Sequence, residues 1–279
     1  MCTKGLSSSR GISVAAATFA AVTLAGLVGT SSASTITGAF SSPPASANNA
    51  ANPTTPINIA TGAAAWVYYG YTQQGSYTAG SSSGGMMNTD PANAASFSPL
   101  NFSANNSQTG LSGSGGSVEL TYPGASPSSS TAFIFDQAPS GGSSTNNYYL
   151  TANLIAPTET LNLYLNSYDS KSNITATLPD GGSFAATGVV LPYSPNSDTD
   201  GTGAGHGYGI LSLNITGGTI GETLTFTDTN NITGVSNDSY SNVGIQAGNV
   251  VVPEPATLPL ALMGLASLAL IVRRKIHRA

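Results

Sequence analysis

Charge is what this 279-residue sequence most lacks: Asp, Glu, Lys and Arg together make up 7% of it, against about 25% in an average soluble domain. Basic residues are scarcer still away from the ends. Lys4, Arg10, Arg273, Arg274, Lys275 and Arg278 are all terminal, so the twelve acidic residues between Ser34 and Pro255 face a single lysine, Lys171. So acidic an interior repels phosphate backbones, which excludes nucleic acid as a partner. The one cysteine, Cys2, precedes an apolar stretch, and a mature chain that has lost that stretch has no thiol. Disulfides, zinc thiolate sites and cysteine nucleophiles are then excluded. Histidine is nearly absent as well, His206 standing alone between the ends. General acid–base and nucleophilic catalysis need at least two mutually positioned titratable groups, so no catalytic residue is assigned and a non-enzymatic protein is expected.

What is present is clearest at the two ends. Residues 1–10 carry Lys4 and Arg10, residues 11–29 form an uncharged run rich in Ala and Val, and Ser31-Ser32-Ala33 follows. This is the three-part layout of a secretory signal, so residues 1–33 read as a signal peptide that signal peptidase cuts after Ala33. An uncleaved membrane anchor is the alternative. At the other end Val252-Pro253-Glu254-Pro255 leads into an apolar run, Leu258 to Val272, and then Arg273, Arg274, Lys275 and Arg278. As a helix over 257–272 this run rises somewhat over 20 Å at about 1.5 Å per residue, workable for a ~30 Å hydrocarbon core with snorkelling arginines. The basic cluster stops transfer and stays in the cytoplasm, leaving the preceding domain outside.

On those residues, 252–279 resemble the PEP-CTERM sorting tail, a segment also labelled ice-binding-protein C-terminal domain. The resemblance implies processing by an exosortase, an integral-membrane cysteine transpeptidase of Gram-negative bacteria that make extracellular polysaccharide. Val252, Pro253, Glu254 and Pro255 would be its recognition element, and prolines suit that role by keeping the backbone extended and out of helix. The implied itinerary is export, anchoring in the inner membrane by the C-terminus, then release to the cell surface or extracellular matrix. A tail of this kind implies nothing about ice.

Between the ends, residues 34–61 are Ala, Ser, Asn and Pro with almost no large apolar residue, and read as a flexible lead. A Gly/Ser-rich insertion is expected at 73–117. Around and after it, two-residue alternation of apolar and polar residues predicts strands at 63–71, 118–122, 131–136, 148–155, 160–168, 173–178, 183–191, 208–216, 223–227 and 243–251. Leu161, Leu163 and Leu165 share one face, as do Leu211, Leu213 and Ile215, each opposed by polar residues. That pattern calls for antiparallel sheets with one wet face, and Asp180-Gly181-Gly182 and Gly217-Gly218 mark turns. The expected fold is mainly β, an antiparallel β-sandwich of the jelly-roll kind over 62–251. Residues 149–250 also look like a recurrent, uncharacterised sandwich module of bacterial surface proteins, a resemblance that implies fold alone.

Chemistry-bearing constellations are few. A glycosidase needs two carboxylates, but nothing in the spacing of Asp136, Glu159, Asp169 and Asp180 selects a pair. Asn196, Asp198 and Asp200, followed by Gly201, begin like a calcium loop. The closing bidentate acid is missing, since Gly207 stands at the twelfth position, and a polar loop explains the run equally well. No cofactor is therefore assigned, with calcium as the alternative. Trp66, Tyr68, Tyr69 and Tyr71 form an aromatic strand, read as core packing or as a platform for sugar rings. The expected function is an exported surface or matrix protein associated with exopolysaccharide. Its alternatives are a carbohydrate-binding module and, against the poverty of catalytic groups, a secreted hydrolase.

Overall fold

Alternation along each strand decides which side chains meet, and two sheets result. The computed structural model describes residues 33–43, 56–69, 88–90, 92, 96–98, 100–102, 107–110, 120–124, 133–137, 147–168, 170–192, 207–231 and 242–253. Fifteen strands lie there: β1 (Thr35–Ser41), β2 (Ile57–Asn58), β3 (Ala65–Tyr68), β4 (Asn88–Thr89), β5 (Asn101–Phe102), β6 (Ser107–Gly110), β7 (Leu120–Thr121), β8 (Phe133–Gln137), β9 (Asn147–Asn153), β10 (Thr158–Tyr168), β11 (Lys171–Thr177), β12 (Ser183–Val189), β13 (Gly207–Thr216), β14 (Thr223–Asn231) and β15 (Asn242–Val251). No helix occurs among the described residues. The larger sheet runs β1-β13-β10-β15-β3-β4, with β8 also paired to β15 and β6 to β8; the smaller runs β12-β11-β14-β9-β5. Every pairing in both is antiparallel.

One apolar core lies between them. Leu161, Leu163, Leu165, Leu211, Leu213, Ile215, Val243, Ile245 and Val250 enter it from the larger sheet, and Leu150, Ile174, Ala176, Leu224 and Phe226 from the smaller. The chain reaches this arrangement by crossing between sheets at β9 to β10, β10 to β11, β12 to β13, β13 to β14 and β14 to β15. The ten expected strands are all found. β15 adds a detail that its sequence conceals: the β10 register shifts between Tyr164 and Leu165, skipping Gln246. That bulge reverses the parity of the strand, so Val250 before it and Ile245 and Val243 beyond it all face the core.

Two expectations need correction. Residues 34–61 are not a flexible lead throughout, because Thr35–Ser41 pair with β13 over their whole length. The strand escapes notice because it is built of small residues, and the packing requires them: a Cβ on Gly38 would come within 2.5 Å of the Phe184 ring on β12. Nor is the outer face of the larger sheet wet at its centre. A second cluster of Ile59, Trp66, Tyr68, Leu120, Tyr122, Tyr164, Tyr208 and Ala247 covers it, carried over the sheet by the parallel pair β2 and β7. Polar residues beneath this third layer are tied in series. Ser212 donates to Asn162 at 2.6 Å, Asn162 to Asn249 at 2.9 Å, and Asn249 to the Ile59 carbonyl at 2.8 Å. Only towards its edge does the face open, where Asn214 and Thr216 are exposed.

Candidate functional site

Registers place both processing ends at one pole of the domain. Thr35 pairs with Thr216, Thr216 with Thr158, and Thr160 with Val251, so the start of β1 and the end of β15 lie at the same end of the larger sheet. Three strand spacings of about 4.8 Å separate them. The same pole carries the short turns from β9 to β10, β11 to β12 and β13 to β14. The connections that include 193–206 and 232–241 join their strands at the opposite pole.

At the N-terminal end Ala33 is exposed and Ser34 is buried. The Ser34 main-chain N–H donates to Asp180 Oδ2 at 2.6 Å, and its hydroxyl donates to the same oxygen. Asp180 Oδ1 accepts the Gly182 N–H at 3.0 Å, while the Asp180 N–H donates to Glu222 Oε1 at 3.1 Å. Glu222 Oε2 accepts the Thr219 N–H of its own turn at 3.2 Å. The Ser34 hydroxyl above all, then the Gly182 and Ser34 amides, hold the Asp180 carboxyl below the usual range. At the C-terminal end Val252 packs partly against the core and Pro253 is exposed. Glu254, Pro255, Arg273, Arg274, Lys275 and Arg278 lie outside the described residues, as do Asn196, Asp198, Asp200 and the helix expected at 257–272. Among the described residues no helix is long and apolar enough to cross a membrane.

The interior holds an acid that sequence reasoning missed. Asp228 on β14 is fully buried, with Ser172 donating to its Oδ2 at 3.2 Å and the Tyr148 hydroxyl 3.2 Å from both that oxygen and the Gly244 carbonyl. Its Oδ1 has no hydrogen-bond partner among the described residues. Burial pushes this carboxyl up to about 8, which favours its neutral form, and pushes the Tyr148 hydroxyl well above its ordinary range. Of the four acids among which the spacing selects no pair, Glu159 and Asp180 serve turns, while Asp169 and the Asp136 side chain lie outside the described residues. Glu159 Oε2 accepts the N–H groups of Ile155 and Ala156 at 2.9 Å each, and Asp180 holds Ser34; burial moves Glu159 upward. Among the described residues no three His, Cys, Asp or Glu side chains gather as metal ligands. Trp66 stacks on Tyr122 at 5.2 Å and Tyr68 lies 5.0 Å from the same ring, so these aromatics are spent on the third layer.

No curated protein matches the chain. Residues 251–275 match the family described as the PEP-CTERM protein-sorting motif, beginning at the last residue of β15. The chain thus carries an exosortase sorting tail and is an exported protein, anchored in a membrane and then processed.

Proposed function

We propose that the chain is a non-enzymatic cell-surface or matrix protein of a Gram-negative bacterium, whose β-sandwich of jelly-roll kind is presented by its sorting tail and associates with exopolysaccharide. The observation that carries this is the shared pole: the start of β1 and the end of β15 leave the domain together, so one pole faces the membrane and the ends of β12 and β14 point away from it. The turns at the membrane pole are short and internally hydrogen-bonded, leaving the opposite pole to make contacts.

A strict carbohydrate-binding module is the second reading. An aromatic platform would support it, but Trp66, Tyr68 and Tyr69 are buried, so these three rings do not supply one. Replacing Glu254 by Ala tests the main reading. Export and signal cleavage should continue, while the chain accumulates at the membrane unprocessed; normal appearance at the surface or in the medium would refute sorting through this motif. A glycan array probed with the processed protein distinguishes exopolysaccharide association from selective recognition of one sugar.

A further inference from the structure

Ser34 is held more firmly than a residue one position before an edge strand requires. It is 5% exposed, and two of its donors converge on one Asp180 oxygen. Its nitrogen lies 2.6 Å from Asp180 Oδ2, closer than an ordinary N–H···O bond. The surroundings are shaped to this residue. Gly181 takes a φ of +101°, in the left-handed region glycine favours, and a Cβ on Gly182 would stand 2.8 Å from the Ser34 carbonyl oxygen. The Asp180 carboxylate cannot swing away without losing its Gly182 bond.

We infer that Asp180 is the binding site for the mature α-amino terminus, a primary ammonium created at Ser34 when the signal peptide is removed. The inference rests on cleavage after Ala33. In that step water adds across the Ala33–Ser34 peptide bond: its oxygen goes to the Ala33 carbonyl carbon, the C–N bond breaks, and Ala33 leaves as a carboxylate. The Ser34 nitrogen keeps the electron pair and takes up protons, so an amide with one N–H becomes an ammonium with three. The atom that donates to Asp180 is the same before and after, but it now carries a full positive charge opposite a carboxylate. Because Ser34 is buried against two turns, the bond is cut before this end docks, and docking completes the edge of the larger sheet. A terminus bound in this way is withdrawn from aminopeptidases and from amine-acylating reagents.

The test uses the full chain, exported with its own signal peptide, processed in exosortase-containing cells and purified. N-terminal sequencing should begin at Ser34. Acylation of the α-amine at about pH 8, followed by mass spectrometry, should be roughly fivefold slower than in a free Ser-Thr-Ile-Thr peptide, as expected when the pKa of an amine near about 8 rises by about one unit. Asp180→Asn should bring the rate to within about twofold of the peptide, since the counter-charge is gone. A wild-type α-amine that reacts at the peptide rate overturns the inference while leaving the cleavage position intact. A chain that starts elsewhere overturns both. If Asp180→Asn does not fold, the pH titration of the wild-type α-amine decides alone, an unraised pKa being the refuting result.

Discussion

A buried acid without a base beside it makes stability depend on pH in an unusual direction. Asp228 keeps its proton up to about 8 in the folded chain, whereas in the unfolded chain it ionises near about 4, as an ordinary aspartate does. Between those values the folded state binds more protons at this site, so the contribution of Asp228 to stability is fully present below about pH 4 and declines as pH rises towards 8. The slope inside that window approaches 1.4 kcal/mol per pH unit, roughly the worth of one proton. Asp228→Asn keeps an acceptor for Ser172 and cannot ionise. Denaturant titrations should show the variant gaining on the wild type as pH rises, with the larger margin at the alkaline end; parallel profiles would refute a neutral Asp228. The residue was hard to read because a carboxylate at a core parity looks like the end of a strand. The alternation Leu224, Phe226, Asp228, Asn230 was followed only to Thr227, although β14 continues to Asn231.

Among elements, β13 gives the clearest test of register. Leu211, Leu213 and Ile215 are fully buried while Asn214 and Thr216 are exposed, so neighbouring positions should respond very differently. Leu213→Ala removes core packing and leaves a cavity, at a cost of about 2–5 kcal/mol. Asn214→Ser loses a solvent-exposed hydrogen bond from Thr160 and should stay within about 0.5 kcal/mol. A reversal of that order in denaturant titration would place the two faces the wrong way round. Strands with large alternating residues, β9 to β15, were legible because burial on one face imposes a period of two. Others were not, each for a local reason. β1 carries small residues where Phe184 crosses it, β5 and β6 lie in a Gly/Ser-rich stretch, and the parity change at Gln246 is set by backbone pairing. The covering of the outer face was hidden as well, since it depends on where Ile59 and Tyr122 fall in space. The sorting motif, by contrast, is a linear signal over residues 251–275 that must be read from an extended chain, so the sequence displays it openly.

For the whole molecule, the shared pole fixes an orientation. If the span begins at Thr257 as the sequence predicts, the chain between it and Val251 can extend at most about 20 Å, and the turn containing Ile220 then stays close to the membrane until the tail is processed. Ile220 at 64% exposure and Val190 at 50% are comparably accessible in the domain itself, but they stand at opposite poles. With Cys2 removed in the signal peptide, Ile220→Cys and Val190→Cys each provide a single thiol. In cells lacking exosortase, a bulky polymer maleimide should modify Val190→Cys several-fold faster, and the difference should vanish in detergent. Equal rates on the membrane would disprove the orientation. While the tail holds the chain in the membrane, any drag on the domain becomes tension along β15. That strand is paired on both edges, to β10 on one side and to β3 and β8 on the other, and its hydrogen bonds run perpendicular to the pull. Force is therefore shared in shear by two rows of bonds at once instead of peeling one bond at a time, which gives a protein without disulfides a mechanical fastening at the point where it is held.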